Sequence, residues 1–311
     1  MKLATFDIGT NTVLMLAVEF DASGAPRTLA DLSRITRLGR GLDKNGVLDP
    51  NSASRTLDAI DEFARSARQL GVERIVAAAT ASLRDASDGP QFVARVRERT
   101  GVELQIISGL DEAALSHLAV VRGLHLESSL SLLIVDIGGG STEFIRSEPG
   151  HDLDASSLQI GSVRLTERCV KSDPPAESDR ARLREVIDSA IDGLNWNAFR
   201  PQQLVGIAGT VTTICAVALG LEQYDSIRVH GHVLSRSEVG RVLELFGSRR
   251  LPERKKIPGL LEGRADVIFA GAFILDRIME RFGAASVIVS DQGVRWGLAW
   301  REIDRMRPHP E

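Results

Sequence analysis

Apolar positions along the chain alternate between two periods. Lys2–Phe6, Val13–Phe20 and Arg27–Ile35 predict three successive strands, with Asp21-Ala22-Ser23-Gly24 supplying the second turn. A basic, glycine-bearing loop follows from Thr36 to Asp43. Asp49 or Asn51 suits an N-cap, and the spacing of Leu57, Ile60, Phe63 and Ala64 then predicts a helix to about Leu70. Ile75–Ala79 predicts a fourth strand, Gly89 to Thr100 a helix, Glu103–Ile107 a fifth strand and Gly109 to Arg122 another helix. The pattern restarts at Leu132, with a second strand in Phe144–Arg146 and a further strand and turn across Leu158–Arg164. A charged helix from about Glu177 to Trp196 follows the break at Asp173-Pro174-Pro175. Leu204–Ile207 is a strand, Ala208–Thr213 opens a helix, and Ser235–Phe246 and roughly Arg264–Phe282 are helical. Ser286–Val289 is the last strand, and Ser290–Arg295 turns into a final helix. Each half is thus a three-stranded meander followed by alternating helix and strand, which makes mixed sheets covered by helices. Gly123–Ser131 is the joint before the second half.

The apolar run of Leu132–Val135 ends in Asp136, Ile137, three glycines (Gly138, Gly139, Gly140), Ser141, Thr142 and Glu143. A glycine turn lets a phosphate approach the backbone, where successive N–H groups donate to its oxygens. The neighbouring acids would repel that phosphate unless a hard cation lies between them, and magnesium is the usual one. An ordinary glycine hairpin is an equally good reading of this stretch by itself. The first half repeats the pattern, however: Leu3-Ala4-Thr5-Phe6 leads into Asp7-Ile8-Gly9-Thr10-Asn11-Thr12. An acid at the end of the first strand of each hairpin marks an internal duplication. Two such hairpins facing each other across a cleft are suited to grip one phosphoryl group.

A chain of 311 residues suggests about two domains. The net charge of −4 argues against general affinity for nucleic acid or membranes, so a polyanionic ligand needs a local cluster and a metal. Cys169 and Cys215 are too far apart in sequence for a zinc pattern or a disulfide framework, which fits a reducing cytoplasm. No apolar run approaches the roughly 20 residues of a membrane span.

The architecture resembles the actin, sugar-kinase and Hsp70 superfamily, and within it the exopolyphosphatase and guanosine pentaphosphate phosphohydrolase (Ppx/GppA) family. Eight ordered blocks carry the resemblance: Asp7–Thr12, Arg37–Asp43, Thr80–Ala86, Ile107–Ala113, Asp136–Glu143, Gly206–Thr213, Gly263–Ile268 and Ser290–Arg295. The chain resembles the family's short form. Thr10 and Thr12 stand where serine is usual, and Asp111 where glutamate is usual beside Glu112. The resemblance implies an α/β fold of two actin-like (ribonuclease H-like) domains with mixed β-sheets flanked by helices and an inter-domain cleft. The expected domains are 1–124 and 125–311, with the final helix, about 297–311, a candidate to pack back on the first. A homodimer is also implied.

On this resemblance Glu112 is the catalytic carboxylate that positions and deprotonates water. Asp7, Asp136 and Glu143 are the metal-associated acids, for magnesium or manganese. The alternative for Asp7 and Asp136 is turn capping. Arg84 is the leading phosphate-binding cation because its fork matches phosphate oxygens. Pairing with Asp85 or Asp88 is its alternative. Arg37, Arg40 and Arg295 are weaker candidates. Gly9, Thr10, Asn11, Thr12, Gly138, Gly139, Gly140 and Ser141 are the expected phosphate turns. Gly209 and Thr210 sit at a helix start suited to an anion, or to a close-packed turn with Thr210 as N-cap. The Arg249–Lys256 cluster reads as a solvated surface or a track for a long polyanion, His230 and His232 as loop residues, and Trp296 and Trp300 as packing. The expected substrate is linear polyphosphate or guanosine pentaphosphate. A superfamily kinase and a nucleotide sensor are the other classes weighed.

Overall fold

The computed structural model describes residues 1–196 and 198–306. The chain divides into two units, one of Met1–Ala119 with the described residues from Val294 onward, the other of Val120–Gly293. Each has its own mixed sheet.

In the first unit, β1 (Lys2–Ile8), β2 (Thr12–Phe20) and β3 (Pro26–Ile35) form the antiparallel meander. Next come α1 (Leu42–Asn45), α2 (Pro50–Gln69), β4 (Arg74–Ala79), α3 (Ala81–Asp85), α4 (Gly89–Thr100), β5 (Leu104–Ile106) and α5 (Gly109–Gly123). The sheet order is β3-β2-β1-β4-β5, with β1, β4 and β5 parallel. Successive side chains of a strand point to opposite faces, and β1 buries both. Ala4, Phe6 and Ile8 join Leu57, Ile60 and Phe63 of α2 and Phe92 and Val96 of α4 in one core. Leu3 on the other face packs with Leu16, Val18, Phe20, Trp296 and Ile303. Asp7 has the parity of Leu3 and Thr5, so it belongs to that second face. Asp49 caps α2, accepting from Ser52 N at 2.8 Å with Pro50 at the first helical position. Edge strand β3 carries Arg27, Asp31 and Arg34 and is mostly exposed, which blunts edge-to-edge pairing.

The second unit begins its sheet with β6 (Leu132–Ile137), β7 (Thr142–Ser147) and β8 (Asp154–Leu158). It continues through α6 (Ser162–Cys169), α7 (Glu177–Asp192), β9 (Gln203–Ile207), α8 (Ala208–Ala218), α9 (Ser226–Val229), β10 (Val233–Ser235), α10 (Arg236–Gly247), α11 (Leu251–Arg254), a 3-10 turn at Glu262–Arg264, α12 (Ile268–Phe282) and β11 (Ser286–Val289). The order β10-β11-β9-β6-β7-β8 places β8-β7-β6-β9-β11 in correspondence with the first sheet, with β10 added at the far edge. Helix α12 is apolar nearly all round because it lies inside the core. Its Gly271 lets α8 approach, since a Cβ there would meet Thr210 Cγ2 at 2.6 Å.

The last helix, α13 (Val294–Met306), packs on β1 and β2 in the first unit. The expected helix extends past it to 311, and residues 307–311 lie outside the described residues. Trp296 and Trp300 are packing residues, their rings 6.1 Å apart, with Phe20 edge-on to Trp300. The strand and turn expected over Leu158–Arg164 end at Leu158. Gly161 is instead the N-cap of α6, because Leu165 and Cys169 repeat at helical spacing and are both buried. The helix expected from Arg264 begins at Ile268. Among the described residues no helix is long and apolar enough to cross a membrane.

Candidate functional site

Strand register gathers the chemistry. In the first unit the parallel strands β1, β4 and β5 align Ile8 with Ala79, and Ala79 with Ile106. The segments that leave their carboxyl ends are the Gly9–Thr12 turn, Thr80–Arg84, and Ser108 leading into Glu112. Ligands of open α/β sheets bind at those ends.

Arg84 and Glu112 meet there. Arg84 Nη1 donates to Ile107 O at 3.0 Å and to Glu112 Oε2 at 3.3 Å. Glu112 is buried, its side chain 9% exposed, while that of Arg84 is 26% exposed. The two acids of the first helical turn have separated roles. Asp111 is exposed and accepts from the Ser108 hydroxyl at 2.7 Å, closing the cap of α5. Glu112, one residue on, is turned inward beside a guanidinium. Arg84 thus pairs with Glu112, while its charge also acts on neighbouring Asp85.

Thr10 and Asn11 are buried at the turn. Gly9 N donates to Thr12 O at 3.0 Å, while Thr36 N and Arg37 N both donate to Asn11 O and Gly39 N to Thr10 O. With its carbonyls taken up by the following loop, the turn's N–H edge is the side that suits an anion. Among the weaker candidates, Arg295 pairs with Asp31 at 3.0 Å, and Arg40 is exposed.

The second unit repeats this geometry. Gly138 N donates to Ser141 O at 3.0 Å, the counterpart of Gly9 and Thr12, and Ser162 N, Val163 N and Arg164 N donate to the carbonyls of Gly138 and Gly139. Glu143, Asp136 and Ile207 lie side by side on β7, β6 and β9. The duplication is not symmetric: Asp136 faces Glu143 across its hairpin, whereas Asp7 faces Leu14. Glu143 is 2% exposed, and its Oε1 accepts from Ser141 Oγ at 2.7 Å and Ser157 Oγ at 2.8 Å. Those hydroxyls fix the carboxylate's orientation.

The Asp136–Glu143 pair suits a magnesium ion, which takes one or two carboxylates and completes its shell with water and phosphate oxygens. Among the described residues no three His, Cys, Asp or Glu side chains converge into a protein-only metal cage. His230 Nε2 lies 3.0 Å from Gly123 O and its Nδ1 accepts from Asp291 N, as a loop brace would.

At the start of α8, Ala208 has φ 65°. Thr210 lies inside the first turn, buried against Gly271, and is not the N-cap, a position held by Ile207. Reading the sequence alone missed Arg264 as a site residue. Its guanidinium lies against Gly209, where a Cβ would come within 1.9 Å of Nη1. Its Nε is buried without an acceptor, and burial lowers the guanidinium to about 10. A half-buried cation beside helix N–H groups suits an anion. The glycine at 209 and the Gly263–Ile268 block were the available signals, but neither shows that two segments 55 residues apart come together. The Arg249–Lys256 cluster is not one open basic surface. Arg254 is 3% exposed and donates to Ala265 O, Arg249 O and Asp173, and Lys255 pairs with Glu262.

Comparison with known proteins adds to this geometry. The model of the Ppx/GppA phosphatase family matches residues 18–306. Exopolyphosphatase 2 of Mycobacterium tuberculosis is 34% identical over 319 aligned positions, covering 96% of this chain and 97% of that protein. The guanosine-5'-triphosphate,3'-diphosphate pyrophosphatase of Vibrio atlanticus is 30% identical, covering 98% of this chain and 60% of that protein. Among solved structures, the Aquifex aeolicus Ppx/GppA family member is 30% identical with a TM-score of 0.84, covering 99% of each chain. An exopolyphosphatase from Cytophaga hutchinsonii is 26% identical with a TM-score of 0.91, covering 98% of each.

Proposed function

Because the chain belongs to the Ppx/GppA phosphatase family and is a phosphoanhydride hydrolase, we propose that it removes the terminal phosphoryl group of linear inorganic polyphosphate. The observation that carries this reading is the near end-to-end match to an exopolyphosphatase, 96% of one chain and 97% of the other. The Vibrio relative, of which the chain spans 60%, favours guanosine pentaphosphate as the second reading.

Glu112 orients a water and takes its proton as the water oxygen bonds to the terminal phosphorus. The anhydride P–O bond breaks, leaving orthophosphate and a chain one phosphate shorter. Arg84 holds the Glu112 carboxylate in one orientation and presents its guanidinium to phosphate oxygens. The Gly9–Thr12 and Gly138–Ser141 turns offer N–H groups to the same kind of oxygen. Arg264 and the first turn of α8 supply a further positive end. Asp136 and Glu143 would hold magnesium or manganese, which when bound neutralises charge on the phosphates.

The test is orthophosphate release from long-chain polyphosphate and from guanosine pentaphosphate with magnesium present, using Glu112→Gln as control. Loss of a general base lowers turnover by about 10²–10⁴-fold. Release from polyphosphate that the substitution abolishes supports the reading. Release only from the nucleotide transfers it to the second substrate. ATP consumption that needs an added acceptor would make it a kinase, and binding without turnover a sensor.

A further inference from the structure

Strands β9 and β11 are parallel, with Gly206 beside Val289. The turn Ser290–Gly293 therefore leaves the sheet next to the segment that starts α8. Ser290 N donates to Gly206 O at 2.9 Å, and a Cβ at Gly293 would stand 3.8 Å from Ile207 Cδ1. Just beyond Ile207, Ala208 has φ 65°. A residue other than glycine keeps that conformation only where its surroundings enforce it.

His230 holds this turn through the main chain. Its half-buried ring accepts from Asp291 N at Nδ1, 3.2 Å away, and Nε2 lies 3.0 Å from Gly123 O. An N–H only donates and a carbonyl only accepts, so both contacts demand one neutral tautomer, with the proton on Nε2. Gly123 admits the close approach: a Cβ there would meet His230 Cε1 at 3.3 Å and Gln292 Oε1 at 2.3 Å. The Asp291 carboxylate is held separately, its Oδ1 accepting from the Tyr224 hydroxyl at 2.5 Å.

The charged groups on the elements around the ring leave it without an ion pair. Asp225 is engaged in the cap of α9, accepting from Ile227 N at 3.0 Å and Arg228 N at 3.2 Å. Arg228 and His125 are exposed, while Arg122, at the end of α5, and His232 are half-buried. Among the described residues both ring nitrogens meet main-chain groups and neither meets a carboxylate. A proton added at Nδ1 turns that nitrogen from acceptor to donor, sets it against the Asp291 N–H and breaks their bond.

Resting on the reading that the first turn of α8 receives phosphate, we propose that His230 is a pH-sensitive positioning residue. Neutral, it fixes the Ser290–Gly293 turn against the start of α8. Protonated, it releases that turn and slows hydrolysis. An imidazole changes charge between about pH 5 and 8, so the device acts within that range.

The experiment compares the unsubstituted protein with His230→Asn, whose amide oxygen offers Asp291 N an acceptor that does not titrate. The ratio of kcat/KM at about pH 7.5 to that at about pH 5.5 is measured for orthophosphate release from long-chain polyphosphate. The expected ratio is about tenfold larger in the unsubstituted protein, as loss of one hydrogen bond allows. Equal ratios overturn the proposal, since the acid limb then belongs to Glu112 or to the substrate. Backbone hydrogen exchange of the Ser290–Gly293 turn, corrected for the intrinsic effect of pH, is read on the same two proteins. Protection lost toward acid in the unsubstituted protein and kept in His230→Asn is expected, and equal loss in both overturns the tie. Where no orthophosphate is released at any pH, that exchange difference keeps the tie and removes the hydrolase reading.

Discussion

Replacing Gly161 with alanine isolates the mechanical link between α6 and the second phosphate turn. The backbone at Gly161 has φ −119° and ψ 163°, an extended conformation open to any residue, so alanine brings no torsional strain. Its Cβ, however, would stand 2.3 Å from Gly139 O, 2.4 Å from Gly139 C and 2.5 Å from Gly140 C, where ordinary contact begins at 3.4 Å. The difference, 3.4 − 2.3, is a displacement of about 1.1 Å that backbone must supply. The turn cannot retreat alone, because Ser162 N, Val163 N and Arg164 Nε hold it at 2.9, 2.9 and 2.6 Å. A misplacement of about 1 Å in a positioning element costs about 10²-fold in rate, and overpacking costs roughly 1–3 kcal/mol of stability. Gly161→Ala is therefore expected to fold, to melt several degrees lower and to lose about two orders of magnitude in kcat for orthophosphate release. Gly240→Ala is the matched control: nothing lies within 4 Å of a Cβ there, and alanine in a helix interior gains about 0.5–1 kcal/mol. Full turnover and an unchanged Tm in Gly161→Ala would refute the argument that this glycine sets the turn.

Arg264→Met should weaken function while strengthening the fold. It removes a cation whose Nε lacks an acceptor, so Tm should rise. Loss of a charged hydrogen bond, worth about 1.5–3 kcal/mol, should raise KM roughly 10- to 100-fold, and an unchanged KM would remove Arg264 from the site. His117 is held below its ordinary value of 6.5 by burial. Its unfolded form therefore binds more protons as pH falls below 6.5, and stability is lost in that direction. Calorimetry at pH 7.5 and 5 should show a fall in Tm that His117→Gln reduces; an identical fall would count against it. Burial pushes the Cys215 thiol up to about 12, so it should resist alkylation at pH 8 until the protein unfolds. Fast labelling of the native chain would contradict that placement.

Much of the fold was legible because it rests on local periods. The strands and long helices follow from alternation and three- to four-residue spacing, and Asp49, Pro50 and Ser235 mark helix starts through contacts within one turn. The duplicated acid and glycine turn was legible for the same reason: Asp7–Thr12 and Asp136–Ser141 repeat a pattern short enough to be read as text. Helix α6 was misread where the alternation of Leu158 and Ile160 abuts a helical spacing, and only packing decided which period governs from Gly161 onward.

What the sequence determined by itself was a pattern: two glycine turns, acids at the ends of their strands, and a glutamate at the start of a helix. Tertiary structure decided what each of the candidate side chains stands against. It separated Asp111, spent on a helix cap, from Glu112, buried beside Arg84. It set Glu143 rather than Leu14 opposite the duplicated aspartate, brought Arg264 onto Gly209, and spent Arg254 on backbone carbonyls. The physical reason is range. Torsional preference and amphipathic period act within a few residues and leave their mark in consecutive letters. A buried charge is stabilised or stranded by groups that are neighbours only after strands from distant parts of the chain have paired in register.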